Sequence, residues 1–155
     1  MGRIQSLAMI VLLAVCGCGK STPETLVTSG YDQQEMDAAI SRARSEVELF
    51  IGELSKPTGT NHAVKAPIEE GGKTEHFWLT EVSFQNGEFK GTIGNEPGIV
   101  GHVKMGQSWT INKTDISDWM FMRDGKIYGN YTMRPLLRTL PPEEAEKYRS
   151  MIADP

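Results

Sequence analysis

Residues 116–134, ISDWMFMRDGKIYGNYTMR, gather Trp119, Phe121, Tyr128 and Tyr131 with Met120, Met122, Ile127 and Met133 into two short apolar runs around Asp124-Gly125. Asp-Gly supplies the positive φ values of a tight reversal, so the stretch reads as a β-hairpin. A two-residue turn sets Met122 opposite Ile127, Phe121 opposite Tyr128, Met120 opposite Gly129, Trp119 opposite Asn130 and Asp118 opposite Tyr131. Large apolar groups then occupy both faces. Either the hairpin is a central element covered on both sides, or its Trp119-Phe121-Tyr128 face recognises a partner.

Upstream, Asn86-Gly87 gives a second hairpin signal, with Thr74 to Phe84 as its leading strand. The expected pairs are Phe84 with Phe89, Val82 with Gly91 and Thr80 with Ile93. These set Trp78, Val82, Phe84, Phe89 and Ile93 inward, with His76 on the same face and Glu75, Glu81 and Lys90 outward. Residues His62 to Ile68 alternate more weakly, and Pro67 points to a sheet edge. Gln107 to Ile111 adds another short strand. The glycines between Gly91 and Gly106 include no Gly-Lys-Ser/Thr and no strand-to-helix switch, so they read as turns and bulges rather than a phosphate loop.

Asp32-Gln33-Gln34-Glu35 has capping-box spacing. Met36, Ile40, Ala43, Val47, Phe50, Ile51 and Leu54 follow at helical intervals, while Arg42, Arg44, Glu46, Glu48 and Glu53 fall mostly elsewhere. One long helix is expected until Lys56-Pro57 stops it. At the other end, Arg134-Pro135 and Pro141-Pro142 open two short helices, the second with Glu143 and Glu144 in its first turn. The fold class is therefore α+β: a small, mainly antiparallel sheet, one long N-terminal helix and short C-terminal helices.

The start of the chain reads as an address. Arg3 precedes an unbroken apolar run from Leu7 to Val15, too short to span a bilayer. The following Val15-Cys16-Gly17-Cys18 resembles a bacterial lipobox, in which a small residue precedes the lipid-bearing cysteine. Gly17 before Cys18 fits that rule and Val15 before Cys16 does not. The expected layout is a signal peptide over residues 1–17, a lipidated Cys18 and tether over 18–31, and one α+β domain over 32–155. A plain signal peptide or an uncleaved anchor is the alternative. Gly19 is not the aspartate of an inner-membrane retention signal, which favours the periplasmic face of the outer membrane. Membrane attachment through lipid is thus the first expected partnership, an envelope protein the second.

Composition narrows the chemistry. Both cysteines of the chain, Cys16 and Cys18, sit at this boundary, so the domain has none for a disulfide or thiolate site. His62, His76 and His102 lack the spacing of a metal site, and no metal or cofactor is expected. A net charge of −4 without a basic run argues against nucleic acid.

Five segments together resemble a known family: Thr74-Glu75-His76-Phe77-Trp78, Asn95-Glu96-Pro97, Gly106-Gln107, Ile116-Ser117-Asp118-Trp119-Met120 and Gly129-Asn130-Tyr131-Thr132-Met133-Arg134. In this order they are similar to the bacterial domain of unknown function 2314, the YegJ-like family, over roughly residues 32–140. The resemblance implies a small α+β domain and brings no activity with it. Asn130 departs from the pattern, which has a second glycine before the tyrosine.

Three functions compete. A binding or interaction module would use Trp119, Phe121 and Tyr128 as aromatic anchors, with Arg134 beside them. A hydrolase-like envelope enzyme would bring His76, Glu96 and Asp118 into one cleft, with Arg134 holding an anionic group. A structural envelope protein would need no small-molecule site. The lack of a nucleophile elbow, metal set or paired-carboxylate motif favours the module. The enzyme requires His76, Glu96 and Asp118 to share a pocket; the module requires its three aromatic rings to be exposed.

Overall fold

The computed structural model describes residues 8–10, 25–27 and 29–153. Of the expected leader and tether it describes only β1 (Ala8–Ile10) and β2 (Thr25–Val27), a short antiparallel pair, and the residues from 29 on. Cys18 lies outside the described residues. No helix among the described residues is long and apolar enough to cross a membrane.

Six strands form the main sheet: β3 (Thr60–Glu70), β4 (Lys73–Gln85), β5 (Glu88–Ile93), β6 (Ser108–Asn112), β7 (Asp118–Arg123) and β8 (Lys126–Gly129). Their order is β6-β5-β4-β3-β7-β8, every neighbour antiparallel. Both dipeptide turns take positive φ as their residue types require, 53° and 83° at Asn86-Gly87 and 51° and 72° at Asp124-Gly125. Met122–Ile127, Phe121–Tyr128, Met120–Gly129 and Phe84–Phe89 pair as expected.

Three details differ from the sequence reading. The first is that β3 is central, flanked by β4 and β7, despite Pro67. Ser117 N donates to Lys65 O at 2.8 Å, so the backbone of Lys65, and of Pro67 two residues on, faces the β7 side. The β3–β7 register ends at Lys65–Asp118, so proline's missing N–H falls where there is no ladder to join.

The second difference is a bulge. Glu81 takes φ 52° and the β4–β5 register shifts between Thr80 and Ser83. Thr80 therefore pairs with Thr92 and Leu79 with Ile93. Phe77 and Leu79 join Val82, Phe84, Phe89 and Ile93 in the main core, and Trp78 turns to the opposite face with Ala63, Met120 and Ile127. Gly91 lies across from the bulge, where a Cβ would stand 2.7 Å from Thr80 O.

The third concerns the long helix, which divides at Glu46 into α1 (Gln33–Ser45) and α2 (Val47–Ser55). Glu46 leaves helical geometry at φ −103° and ψ 9°, and its carboxylate accepts from Arg42 Nε at 2.9 Å and from the Tyr131 hydroxyl. α1 serves two cores and α2 one, with Ala43 of α1 joining Val47 and Phe50 of α2 on the sheet. Met36 packs with Met133 and Leu136, whereas Val47 and Phe50 pack on the sheet with Trp119. Asp32 caps α1 by accepting from Glu35 N, but the Glu35 side chain pairs with Arg138 at 2.7 Å instead of reaching back. The chain closes with α3 (Met133–Leu136), a 3-10 turn at Leu137–Thr139 and α4 (Pro142–Met151).

Candidate functional site

The row Trp78–Lys65–Asp118 crosses three adjacent strands on one face of the sheet. Alternation puts Pro67 and its partner His76 on that same face, next along the strands. Here α1 passes the part of β3 that β7 has left, and the gap is a cavity of about 200 Å³. Its walls include Lys65 and His76 from the sheet, Ser117 just before β7, Thr132 in the turn after β8, and Arg44 from α1.

Lys65 is the unusual member, with only 3% of its surface exposed. Its ammonium has three N–H donors, and the one side-chain acceptor among the described residues is Thr132 Oγ1 at 2.6 Å. The charge also lies 4.5 Å from the centre of the Trp78 ring, a favourable cation–π placement. Burial pulls the Lys65 pKa down to about 8 against the opposing pull of Asp118, so the amine remains a cation at neutral pH.

Asp118 is fully buried and its carboxylate is fully employed. It accepts from Trp119 N at 2.9 Å, Tyr131 N at 3.1 Å, Thr132 N at 2.8 Å and Thr132 Oγ1 at 2.6 Å. Desolvation raises its pKa, while Lys65 and the Thr132 and Trp119 donors oppose the rise. Asp118 therefore builds the site and supplies the counter-charge to Lys65. It does not line the cavity.

His76 does line it. Its Nδ1 lies 2.8 Å from Ser117 Oγ, which in turn lies 3.3 Å from Lys65 O. The Ser117 hydroxyl can accept from Nδ1 while donating to the carbonyl, or donate to Nδ1 itself, so this contact suits either imidazole tautomer. Burial, then the positive charges of Lys65 and Arg44, push the ring down to about 3 from its ordinary 6.5. The folded state thus binds fewer protons than the unfolded chain below pH 6.5, and stability falls as the medium is acidified. The expected slope is about 1.4 kcal/mol per pH unit for this group. Urea denaturation between pH 6.5 and 5.5 checks this, above the range from 4.5 down to about 2 over which Glu53 loses its own contribution. His76→Gln should flatten the decline, and an unchanged slope would assign it to other groups.

Of the other expected site residues, Glu96 is exposed in the loop after β5 and does not line the cavity. The trio His76, Glu96 and Asp118 is not assembled in this cavity; what gathers there is His76 with Ser117, Lys65 and Arg44. Trp119 and Phe121 are core residues, 2% and 5% exposed. Their rings stack on one another and on Phe50 and Tyr128, and the Trp119 indole donates to Ala43 O at 2.8 Å. Tyr128 is half-buried beneath the Arg123 guanidinium, 4.5 Å from its ring centre. Arg134 donates to two backbone carbonyls, Ala153 O at 3.0 Å and Gly129 O at 3.4 Å. Tyr128 and Arg134 border a larger groove of about 600 Å³. That groove is more open, and its chief cations already have partners: Arg42 pairs with Glu46, and Arg134 with the two carbonyls. Of the two, the smaller cavity holds a buried charge with donors left over among the described residues.

Lys65, Ser117 and Arg44 were not singled out from sequence. The usable signal was the alternation Ala63, Lys65, Pro67 in β3, a lysine between two apolar residues on one face.

A family model described as an uncharacterized protein conserved in bacteria (DUF2314) matches residues 33–153. The chain is 52% identical over 147 residues to the uncharacterized protein YegJ of Escherichia coli (strain K12), covering 94% of this chain and 96% of that one. It is 34% identical over 89 residues to the putative ankyrin repeat protein NMB1133/NMB1171 of Neisseria meningitidis serogroup B (strain ATCC BAA-335 / MC58), covering 55% of this chain and 35% of that protein. No solved structure gives a significant match.

Proposed function

The chain belongs to the bacterial DUF2314 family, and from the cavity its fold encloses we propose a small-molecule binding module, tethered to the cell envelope by a lipidated Cys18, that grips an anionic group of its ligand with Lys65. The observation that carries this reading is a buried ammonium on a cavity wall with donors left over. Burying a charge is costly unless its hydrogen-bonding capacity is used, and one hydroxyl and an aromatic face use only part of it. A carboxylate or phosphate oxygen in the cavity would complete the set with charge-assisted bonds.

The site's ionisation favours binding over acid–base catalysis. A general base works best with its pKa near the working pH, and His76 is held far below that. Ser117, at 1% exposure, is a poor candidate for attack on a substrate, and Asp118 has no oxygen to spare. The tether rests on the lipobox-like Val15-Cys16-Gly17-Cys18, and failure of Cys18→Ser to abolish palmitate labelling would dismiss it.

For the binding reading, backbone amide NMR titrations with acetate and inorganic phosphate should move resonances of residues 65, 76, 117 and 132. Lys65→Met should weaken binding about 10- to 100-fold, since a hydrogen bond to a charged group is worth ~1.5–3 kcal/mol. Methionine fits the aliphatic path of the lysine, and a thermal melt confirms that the variant folds. Undiminished binding by Lys65→Met would exclude the ammonium as the anchor.

A further inference from the structure

We infer that the ligand is a small zwitterion of about dipeptide size, its carboxylate toward Lys65 and Arg44 and its ammonium toward Asp37 and Glu69. This rests on the binding reading above and names the ligand class for the same cavity.

Four formal charges line the cavity: Arg44, Lys65, Asp37 and Glu69. Opposite charges around so small a space ordinarily collapse into pairs. Among the described residues, none of these four belongs to an ion pair. Each is steadied instead by an uncharged group. Arg44 Nε donates to Ile116 O at 2.7 Å, Lys65 to Thr132 Oγ1, Gln33 Nε2 to Asp37 Oδ1 at 2.8 Å, and Thr74 Oγ1 to Glu69 Oε1 at 3.4 Å. The cavity thus keeps two cations and two anions apart, all available to an occupant.

Their separation has a direction. Lys65 and Arg44 share one pole: Arg44 Nε is bonded to Ile116 O, and the next residue, Ser117, donates its N–H to Lys65 O. Along β3, Glu69 lies four residues from Lys65 on the same face, about 13 Å of strand. Along α1, Asp37 lies two turns from Arg44, about 10 Å of helix. With the charges spaced as their backbones are and a hydrogen bond of about 2.8 Å at each end, roughly 4–8 Å is left between the ligand's own charges. An extended residue spans about 3.6 Å, so two residues cover that distance and a single amino acid does not. Midway, His76 Nε2 has no partner among the described residues and suits a peptide N–H or C=O according to its tautomer.

The test compares four probes by calorimetry on the full-length chain: dialanine, N-acetyl-dialanine, dialanine amide and inorganic phosphate. Dialanine should bind at least tenfold more tightly than either blocked form. Asp37→Asn combined with Glu69→Gln, both exposed positions, should abolish the penalty for acetylation while leaving the penalty for the amide. N-acetyl-dialanine binding as well as dialanine would overturn the zwitterion and leave a plain anion site, so the binding reading would survive. Silence with all four probes would overturn both.

Discussion

Asp118→Ala is expected to destabilise the fold by about 3–5 kcal/mol, the range for leaving a buried charge without its compensating charge. The carboxylate accepts from three backbone N–H groups and the Thr132 hydroxyl, all at 3.1 Å or less. Alanine returns none of these bonds. It also leaves Lys65 buried with only Thr132 Oγ1 and the Trp78 ring to offset its charge. The melting temperature should drop by roughly 10 °C or more. Asp118→Asn keeps the shape and one acceptor oxygen, and should cost less. The decisive measurement is a double-mutant cycle with Lys65→Met. If the charges are coupled, the double variant recovers part of the loss, a coupling of about 1–3 kcal/mol. Strict additivity would mean that Asp118 acts only as a clamp on residues 119–132 and that the ammonium is neutralised by something else.

That cycle also shows how much of the site could be read from the chain. Features encoded by neighbouring residues were legible. Asp-Gly and Asn-Gly turns fix their backbone locally, and the hairpin register follows from turn length, so Phe121–Tyr128 and Phe84–Phe89 could be placed in advance. The Asp32 cap is likewise local. Features whose partners lie far along the chain were not. Glu75 reads as an outward charge in an alternating strand, yet it is fully buried and accepts from the backbone of Gly98, Ile99 and Val100. Glu53 falls on the polar side of the helical wheel, yet it gathers Thr58, Gly59 and His62. In both cases a carboxylate satisfies loop N–H groups, and no periodicity announces that. The bulge at Glu81 is a backbone event as well, and it alone moved Trp78 to the opposite face. Lys65 and His76 meet only once β3, β4 and β7 are in register. The binding cavity is therefore a product of tertiary alignment, while the aromatic hairpin that dominates the sequence is mostly core.

Gly129→Ala should be the most damaging small substitution in the hairpin, costing roughly 2–5 kcal/mol. Gly129 has φ 75°, and a Cβ there would press on the Trp119 carbonyl oxygen and stand 2.6 Å from Trp119 Cε3. The left-handed conformation costs alanine about 1–2 kcal/mol, and forcing atoms into a packed site adds about 1–3 kcal/mol. Gly125→Ala is the matched control. It has a similar φ of 72° and no neighbour within 4 Å of a Cβ, so it should show only the conformational part. The difference matters beyond stability. Gly129 and Asn130, at φ 75° and 49°, swing the chain off β8 so that Asn130 N meets Trp119 O and Tyr131 N meets Asp118. Asparagine tolerates this region better than most side chains. Thr132, the acceptor for Lys65, follows two residues later. Gly129→Ala should therefore weaken phosphate binding in the cavity as well as the fold, whereas Gly125→Ala should leave binding unchanged. Equal stabilities for the two variants would mean that the Trp119 strand yields easily, and that the turn does not hold the lysine in place.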